Sequence, residues 1–280
     1  MPWKIHLADI TQDYYNRLFS AQQKETNLTE LIRTAIFEPE KAADIKRDFA
    51  LQGLSNMTCY LSVIEPATAP LTENNERAIL LHSKTILNQS NLAYAIFWHH
   101  GQLLPLLFTD DQALLLNTIT AILELYKKLL PKDMPTCGTS SLQTNPQQFT
   151  AAYHEACAAA AVARLQQKPC MAFDTLGIYR LLFTANNHQL LKKMCDELLQ
   201  PLISYDEKHH TQLAHTLRLY LFHNSSLQAT AKVAFTHRNT INYRISKARD
   251  ILQCDLDDAV IRFNLILAFY ITDYLRIAVE

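Results

Sequence analysis

The spacing of apolar and polar residues divides the chain into three parts. In residues 1–50 apolar positions recur every three or four residues, as in ITQDYYNRLF and LTELIRTAIF, which predicts helices. Residues 51–175 alternate short β-rich runs with longer amphipathic segments, and residues 176–280 return to helical spacing throughout. The pattern predicts an α+β protein that is mainly helical, with an N-terminal helical segment (1–50), a central mixed-sheet domain (51–175) and an all-α C-terminal domain (176–280).

The central part predicts a sheet covered by helices. Its order is β-α-β-β-α-β with one more helix. The predicted strands are MTCYLSVIEP at 57–66, two runs that flank a His99–Gln102 turn, MPTCGTSS at 134–141 and CMAFDTLG at 170–177. The amphipathic segments between them lie at 73–91, 112–130 and 145–167.

Helices are predicted on both sides of residues 225–250. One is expected to end near Pro201, since proline lacks the N–H that a helix interior needs, and the next carries leucines at 213, 217 and 221 on one face. The last segment, DAVIRFNLILAFYITDYLRIA, is apolar almost all round. Five of its residues recur at helical spacing and form either a dimer surface or a face that packs on the preceding helices: Val260, Phe263, Leu267, Tyr270 and Tyr274.

Residues 225–250 have the spacing of a helix-turn-helix. Ser225 or Ser226 can cap a short helix over 227–234, and His237 opens a longer one. Small Ala231 is expected where the two helices approach, and the longer helix carries a buried stripe of Ile241, Ile245, Ala248 and Leu252. The turn position usually held by glycine is Phe235, so the turn either uses a different backbone conformation or fills a hydrophobic gap.

Charge singles out the same region. The chain has 26 Lys and Arg against 27 Asp and Glu, a formal net charge of −1, yet residues 209–249 contain no acid. The cations of this window are Arg218, Lys232, Arg238, Arg244, Lys247 and Arg249. A positive patch on a predicted helix-turn-helix favours DNA as the partner, and the alternative is a helical hairpin with a solvated basic face.

The buried stripe leaves other residues on the exposed face of the longer helix. These are Arg238, Asn239, Asn242, Tyr243 and Ser246. Asparagine can pair with adenine, arginine with guanine or phosphate, and tyrosine with phosphate or a thymine methyl. Lys232, Arg244, Lys247 and Arg249 are better placed for phosphate contacts, which give affinity without sequence information.

No pattern for catalysis or for cofactor or metal binding accompanies this patch. The chain has only four glycines and contains neither GxGxxG nor GxxxxGK, GxSxG or HExxH. Its six cysteines are scattered without a CxxC pair, and no run approaches eighteen uninterrupted apolar residues. The sequence therefore predicts a cytoplasmic protein without catalytic residues, cofactor, metal or membrane contact.

The stretch TLRLYL…NSSLQATAKVAFTHRNTINYRISKARDILQCDLDDAVIRFNLILAF resembles the C-terminal domain of the PucR/CdaR family of bacterial transcription regulators. The similar elements are TL-x-x-YL at 216–221, Ala231, H-R-N-T-I-x-Y-R-I at 237–245 and D-L-D-D-x-x-x-R at 255–262. The resemblance implies a helix-turn-helix without a wing that binds promoter DNA. It places seven residues at the DNA face: His237, Arg238, Asn239, Thr240, Asn242, Tyr243 and Arg244. Thr240 either belongs to this face or packs inside the helix pair.

In this family the preceding segment is often a degenerate relative of the GGDEF nucleotide-cyclase fold, and residues 51–175 resemble it in the order of their elements. An active cyclase needs acids at the end of its first strand and in its hairpin to hold two divalent cations. Here the strand offers Glu65 alone, and the hairpin around His99–Gln102 has no acid. A scaffold or effector-sensing role is expected. Because about fifty residues precede this domain, any effector is expected to bind within it or at an interface.

These observations predict a sequence-specific DNA-binding transcription regulator whose recognition helix, at about 237–250, lies in the major groove. The predicted partners are double-stranded promoter DNA, a second copy in a homodimer, and an unidentified small-molecule effector or protein. Two alternatives are a protein-interaction or effector-sensing module without DNA binding, and a residual nucleotide-binding enzyme.

Overall fold

The computed structural model describes residues 26–41, 47–50, 58–67, 71–90, 92–185 and 187–279. The chain forms two compact units that divide between Leu176 and Gly177. The helix predicted in LTELIRTAIF is confirmed by α1, which covers residues 26–37. The helix predicted in ITQDYYNRLF lies outside the described residues.

The first unit is built on a five-stranded sheet. Its strands are β1 (Tyr60–Glu65), β2 (Tyr94–His99), β3 (Gln102–Leu107), β4 (Thr136–Thr139) and β5 (Cys170–Ala172), in the order β2-β3-β1-β4-β5. The central strand β1 is antiparallel to both of its neighbours, and β4 and β5 are parallel. Because β3 lies between β1 and β2, and helix α2 (Glu73–Gln89) connects those two, the topology is a split β-α-β unit.

The predicted strands are confirmed, but the last one is shorter than expected. After Ala172 the chain enters a 3₁₀ turn, Phe173–Thr175, in which the Thr175 hydroxyl donates to the Ala172 carbonyl oxygen over 2.7 Å. The local hydrogen bond replaces further pairing with β4, so only three residues of the predicted 170–177 strand join the sheet.

Helices cover both faces of the sheet. Alternation along β1 sends Tyr60 and Ile64 to one face, where α2 and α3 (Gln112–Leu129) pack, and Leu61 and Val63 to the other, where α1 and α4 (Phe149–Leu165) pack. The α+β class predicted from the sequence is therefore confirmed for this unit.

Gly138 in β4 allows α4 to approach the sheet closely. A Cβ atom at this position would lie 2.0 Å from the backbone oxygen of Ala156 and 2.2 Å from the backbone nitrogen of Ala160. Both alanines are fully buried. The small side chains of the alanine-rich α4 and the single glycine of β4 thus both allow the same close contact between the two backbones.

The second unit is all helical. Its elements are α5 (Ile178–Thr184), α6 (His188–His209), α7 (Leu213–Phe222), α8 (Leu227–Val233), α9 (Arg238–Leu252) and α10 (Ala259–Val279). The predicted face of α7 is confirmed, since the leucines at 213, 217 and 221 are buried. Among the described residues, no helix is both long enough and apolar enough to cross a membrane.

The prediction that a helix ends near Pro201 is wrong, because α6 continues through this residue to His209. Cys195 and Leu199 are buried before the proline and Leu202 after it. Packing of this continuous face outweighs the loss of one helical hydrogen bond. The helix ends where His210 adopts a left-handed conformation, and the Asp206 carboxylate accepts hydrogen bonds from the backbone N–H groups that begin α7.

Gly138→Ala is expected to destabilise the first unit by roughly 3 kcal/mol, since the added methyl group meets the α4 backbone and not a flexible side chain. Gly101→Ala is the matched control. Its methyl group meets nothing within 4 Å, and its positive φ costs about 1 kcal/mol. Urea unfolding measures both free energies, and equal losses would contradict the close contact between β4 and α4.

Candidate nucleic-acid interface

Two side chains begin the helices of the helix-turn-helix as the sequence predicts. The Ser226 hydroxyl oxygen accepts a hydrogen bond from the Ala229 N–H over 3.2 Å and caps α8. The His237 ring nitrogen Nδ1 accepts from the Asn239 N–H over 3.2 Å and caps α9. Each cap satisfies one backbone donor that a helix start leaves without a partner, so both starts are fixed locally.

The turn between the helices uses an unusual backbone conformation, which was one of the two alternatives. Phe235 has a φ of +48°. The Thr236 N–H donates to the Ala231 carbonyl oxygen over 3.0 Å, and the Phe235 N–H donates to that of Lys232 over 3.4 Å. These are the two bonds of a Schellman motif, with phenylalanine at the left-handed position that glycine normally holds. The Phe235 side chain is 96% exposed, so it fills no hydrophobic gap.

The buried side of the motif agrees largely with the predicted stripe. Ile241, Ile245 and Ala248 are at most 4% exposed. Leu252 is only half-buried, as is Ala231, which was expected at the helix contact. Thr230 is the fully buried residue of α8, and its hydroxyl donates to the Ser226 carbonyl oxygen over 2.8 Å. Its burial was not predictable from the sequence, because a threonine one position from a small alanine carries no distinct signal.

The opposite side of α9 presents a continuous exposed face. Its members are His237, Arg238, Asn239, Thr240, Asn242 and Tyr243. Thr240 is exposed and therefore does not pack inside the helix pair. Tyr243 is 68% exposed, an unusual fraction for an aromatic side chain. The face thus offers amide, guanidinium and phenol groups to a partner from a rigid helix.

The other cations predicted at this site have different surroundings. Arg244 is half-buried and its Nη1 donates to the Thr216 hydroxyl oxygen over 3.3 Å. The Lys247 Nζ lies 5.6 Å from the centre of the Tyr205 ring, and Arg249 pairs with Asp257 at 3.4 Å. Within the described ranges, Lys232 and Arg238 are exposed and form no ion pair.

Arg218 belongs to the core of the helical unit and not to the positive surface. Its Nη1 and Nη2 donate to the two carboxylate oxygens of Asp273 over 2.8 and 2.6 Å, and Asp273 is 2% exposed. The Tyr179 hydroxyl donates to the same carboxylate over 3.2 Å. The hydrogen bonds to Asp273 raise the pKa of Arg218, while burial and then the Asp273 charge raise the pKa of Tyr179. In the sequence, the signal for this ion pair was Asp273 itself, an acid within the apolar stripe of the last helix.

The first unit has no counterpart of a two-cation site among the residues that the structure describes. The Glu65 carboxylate pairs with Arg164 and accepts a hydrogen bond from the Gln102 amide nitrogen over 2.7 Å. The Gln102 amide oxygen accepts in turn from the Tyr153 hydroxyl over 2.7 Å. No group of three or more His, Cys, Asp or Glu side chains comes together in the described ranges. One neutralised carboxylate does not fit a site for two divalent cations.

Comparison with known proteins places the helix-turn-helix in a class. Residues 213–271 match the family model of the PucR C-terminal helix-turn-helix domain. This region was recognised from its sequence elements, so that resemblance is confirmed for the domain. The GGDEF-like resemblance of residues 51–175 stays a prediction.

Two of the matching relatives are named as transcriptional activators. The chain is 32% identical over 109 residues to the proline-responsive transcriptional activator PutR of Bacillus subtilis, a match that covers 39% of this chain and 26% of the relative. It is 28% identical over 102 residues to the DNA-binding transcriptional activator AdeR of the same organism, covering 36% of this chain and 24% of the relative. The match therefore spans about a quarter of each relative's length.

A solved structure gives a weaker likeness over most of the chain. The regulator of polyketide synthase expression from Bifidobacterium adolescentis is 17% identical with a TM-score of 0.39, covering 88% of this chain and 93% of that one.

Arg218→Ala is expected to lower the free energy of unfolding of the helical unit by about 3 kcal/mol, because it leaves the Asp273 carboxylate buried without its cation. Arg249→Ala is the control, since its pair with Asp257 is exposed and contributes less than about 1 kcal/mol. Urea titrations of both variants give the comparison. Similar small losses would show that Asp273 finds another partner.

Proposed function

We propose that the chain is a sequence-specific DNA-binding transcription regulator, with α9 as the recognition helix in the major groove of promoter DNA. The observation that carries the proposal is the division of α9 into a buried stripe and an exposed face of hydrogen-bonding residues. In a helix-turn-helix the second helix presents such a face to base edges. The match of residues 213–271 to a DNA-binding domain family supports the same function.

The exposed face separates into two kinds of contact. Arg238, Asn239, Asn242 and Tyr243 are proposed to read bases, because their donors and acceptors suit major-groove edges. His237 and Thr240 flank them at the helix start. Lys232, Arg244, Lys247 and Arg249 are proposed to contact phosphates. Lys232 forms no ion pair in the described ranges and can contact a phosphate directly. Arg249 must first break its ion pair with Asp257.

The first unit is proposed to be a degenerate GGDEF-like domain without enzymatic activity. Its split β-α-β topology supports the relationship, and pairing of Glu65 with Arg164 argues against cation-dependent cyclase chemistry. A scaffold or sensing role suits a domain in which the Glu65 carboxylate is already neutralised by an arginine of the same chain.

A homodimer on DNA is proposed from the same helix that was predicted to offer a dimer surface. The structure divides that face: Tyr274 is 2% exposed and Tyr270 packs 5.3 Å from the Tyr179 ring, whereas Val260 and Phe263 are 66% and 60% exposed. The exposed pair at the start of α10 is the part left for a second copy. Two recognition helices would then read two half-sites, and a cytoplasmic location follows from a DNA target.

Two variants separate the proposed kinds of DNA contact. Asn242→Ala should lower affinity for a duplex that the protein selects from a random pool by about 1–3 kcal/mol, with little change toward competitor DNA. Lys232→Ala should weaken both equally and reduce the slope of log affinity against log salt by about one. Fluorescence anisotropy at several salt concentrations measures both quantities.

Lys193→Ala is the control for the loss of one charge, because Lys193 lies on α6 outside the helix-turn-helix and pairs with Glu197 at 3.8 Å. It should leave both affinities unchanged. If the folded protein selects no duplex from the pool, the proposal fails and an interaction module becomes the better explanation.

An effector site is proposed in the helical unit, and not in the mixed domain or at an interface as expected from the sequence, because a cavity of about 550 Å³ lies between α6 and α10. Its lining includes buried Cys195 and Leu199 and half-buried Leu275, together with exposed Lys192, Asp196 and Arg276. This size and lining suit a small ligand with an apolar body and a carboxylate. Thr272 also lines the cavity and immediately precedes Asp273, the ion-pair partner of Arg218. A ligand in the cavity would therefore act on the segment of α10 that carries Asp273.

Lys192→Gln is expected to weaken binding of octanoate, used as the probe, by up to about five-fold, as for the loss of one exposed ion pair. Lys193→Gln, one residue away and outside the cavity, should bind octanoate like the unchanged protein. Isothermal titration compares the three proteins. Equal affinities would contradict the placement of the carboxylate at Lys192.

A further inference from the structure

Phe235 occupies a conformation that is unfavourable for its residue type. Its φ of +48° lies in the left-handed region, where a side chain with a Cβ atom is strained and glycine is not. The hydrogen bonds of this turn join backbone groups only, so a glycine would make them equally well. Phenylalanine therefore destabilises the turn relative to glycine.

In the part of the chain that the structure describes, the Phe235 ring makes no burial that would compensate for this strain. The ring is 96% exposed, so it removes almost no apolar surface from water in the free protein. A strained residue that gains nothing from its own fold is explained by an external contact. The partner must approach the turn between α8 and α9.

The surroundings of Phe235 indicate which partner this is. His237, two residues later, caps the N-terminus of α9, and exposed Lys232 and Arg238 lie on either side of the turn. An anionic partner suits these cations, and the start of a recognition helix is the part that meets base edges. The apolar group that DNA displays in its major groove is the C5-methyl of thymine.

We propose that Phe235 packs against a thymine methyl group at the edge of the recognition site. The inference rests on the proposed DNA binding and adds a specificity-determining residue outside the recognition helix. The ring reads one base pair through an apolar contact, beside the polar contacts of the α9 face.

Phe235→Gly and Phe235→Ala test the proposal through DNA affinity and thermal stability. Both should weaken binding to the selected duplex by about ten-fold, as for the loss of one base contact. Phe235→Gly should raise the melting temperature by up to a few degrees because it removes the strain, and Phe235→Ala should not, since alanine keeps it. A merely structural Phe235 predicts a lower melting temperature for both variants.

Replacing single thymines of the duplex by uracil locates the contact. One such replacement should weaken the unchanged protein about as much as Phe235→Ala does, and should have no further effect on that variant. If no thymine shows this coupling, or if both variants bind as tightly as the unchanged protein, the assignment is overturned. It is also overturned if Phe235→Ala dissociates a dimer in sedimentation without DNA, since the ring then serves a protein interface. Failure of the unchanged protein to bind any duplex would instead refute the proposed function.

Discussion

The ion pair between Arg218 and Asp273 is the constraint on which the helical unit depends. A carboxylate that is 2% exposed is costly without a cation, so α7 must bring Arg218 to α10. Tyr179 of α5 donates to the same carboxylate, which ties a third helix to the pair. Since α7 also contacts α9 through Thr216 and Arg244, the orientation of the exposed α9 face depends on a charge pair in the core. Breaking such a pair by removing one partner is strongly destabilising, because it leaves a buried charge without compensation.

These contacts also leave fewer cations free on the positive surface than the acid-free window of residues 209–249 suggests. Of its six cations, Arg218 is neutralised in the core, Arg249 is paired with Asp257, and Arg244 and Lys247 contact other helices. Phosphates can therefore recruit only Lys232 and Arg238 without breaking an existing contact. Of the remaining cations, Arg244 and Lys247 contact α7 and α6 and so help to fix the orientation of α9.

Local patterns predicted the elements and the helix caps well, because strand alternation, buried stripes and capping residues act within a few positions. Ser226, His237 and the Ile241 stripe are examples. Long-range contacts were not predictable in this way. Continuation of α6 through Pro201 depends on packing before and after it, and the partner of Arg218 is 55 residues away in sequence. The sequence shows that Phe235 replaces the glycine usual in such a turn. Only the structure shows that its backbone is strained and its ring exposed, and that the ring does not fill a hydrophobic gap.

In the first unit, too, a mostly buried carboxylate is paired with an arginine of the same chain. At the edge where β1 ends, Glu65 is mostly buried and needs a positive partner, and the chain supplies Arg164 from the last turn of α4. An internal guanidinium is always charged and cannot exchange with solvent ions as a metal does. It therefore neutralises the carboxylate and joins α4 to the central strand, while Gln102 and Tyr153 extend the network to the hairpin and back to the same helix. At this edge the chain therefore uses its carboxylate to hold the helix and the strands of the first unit together.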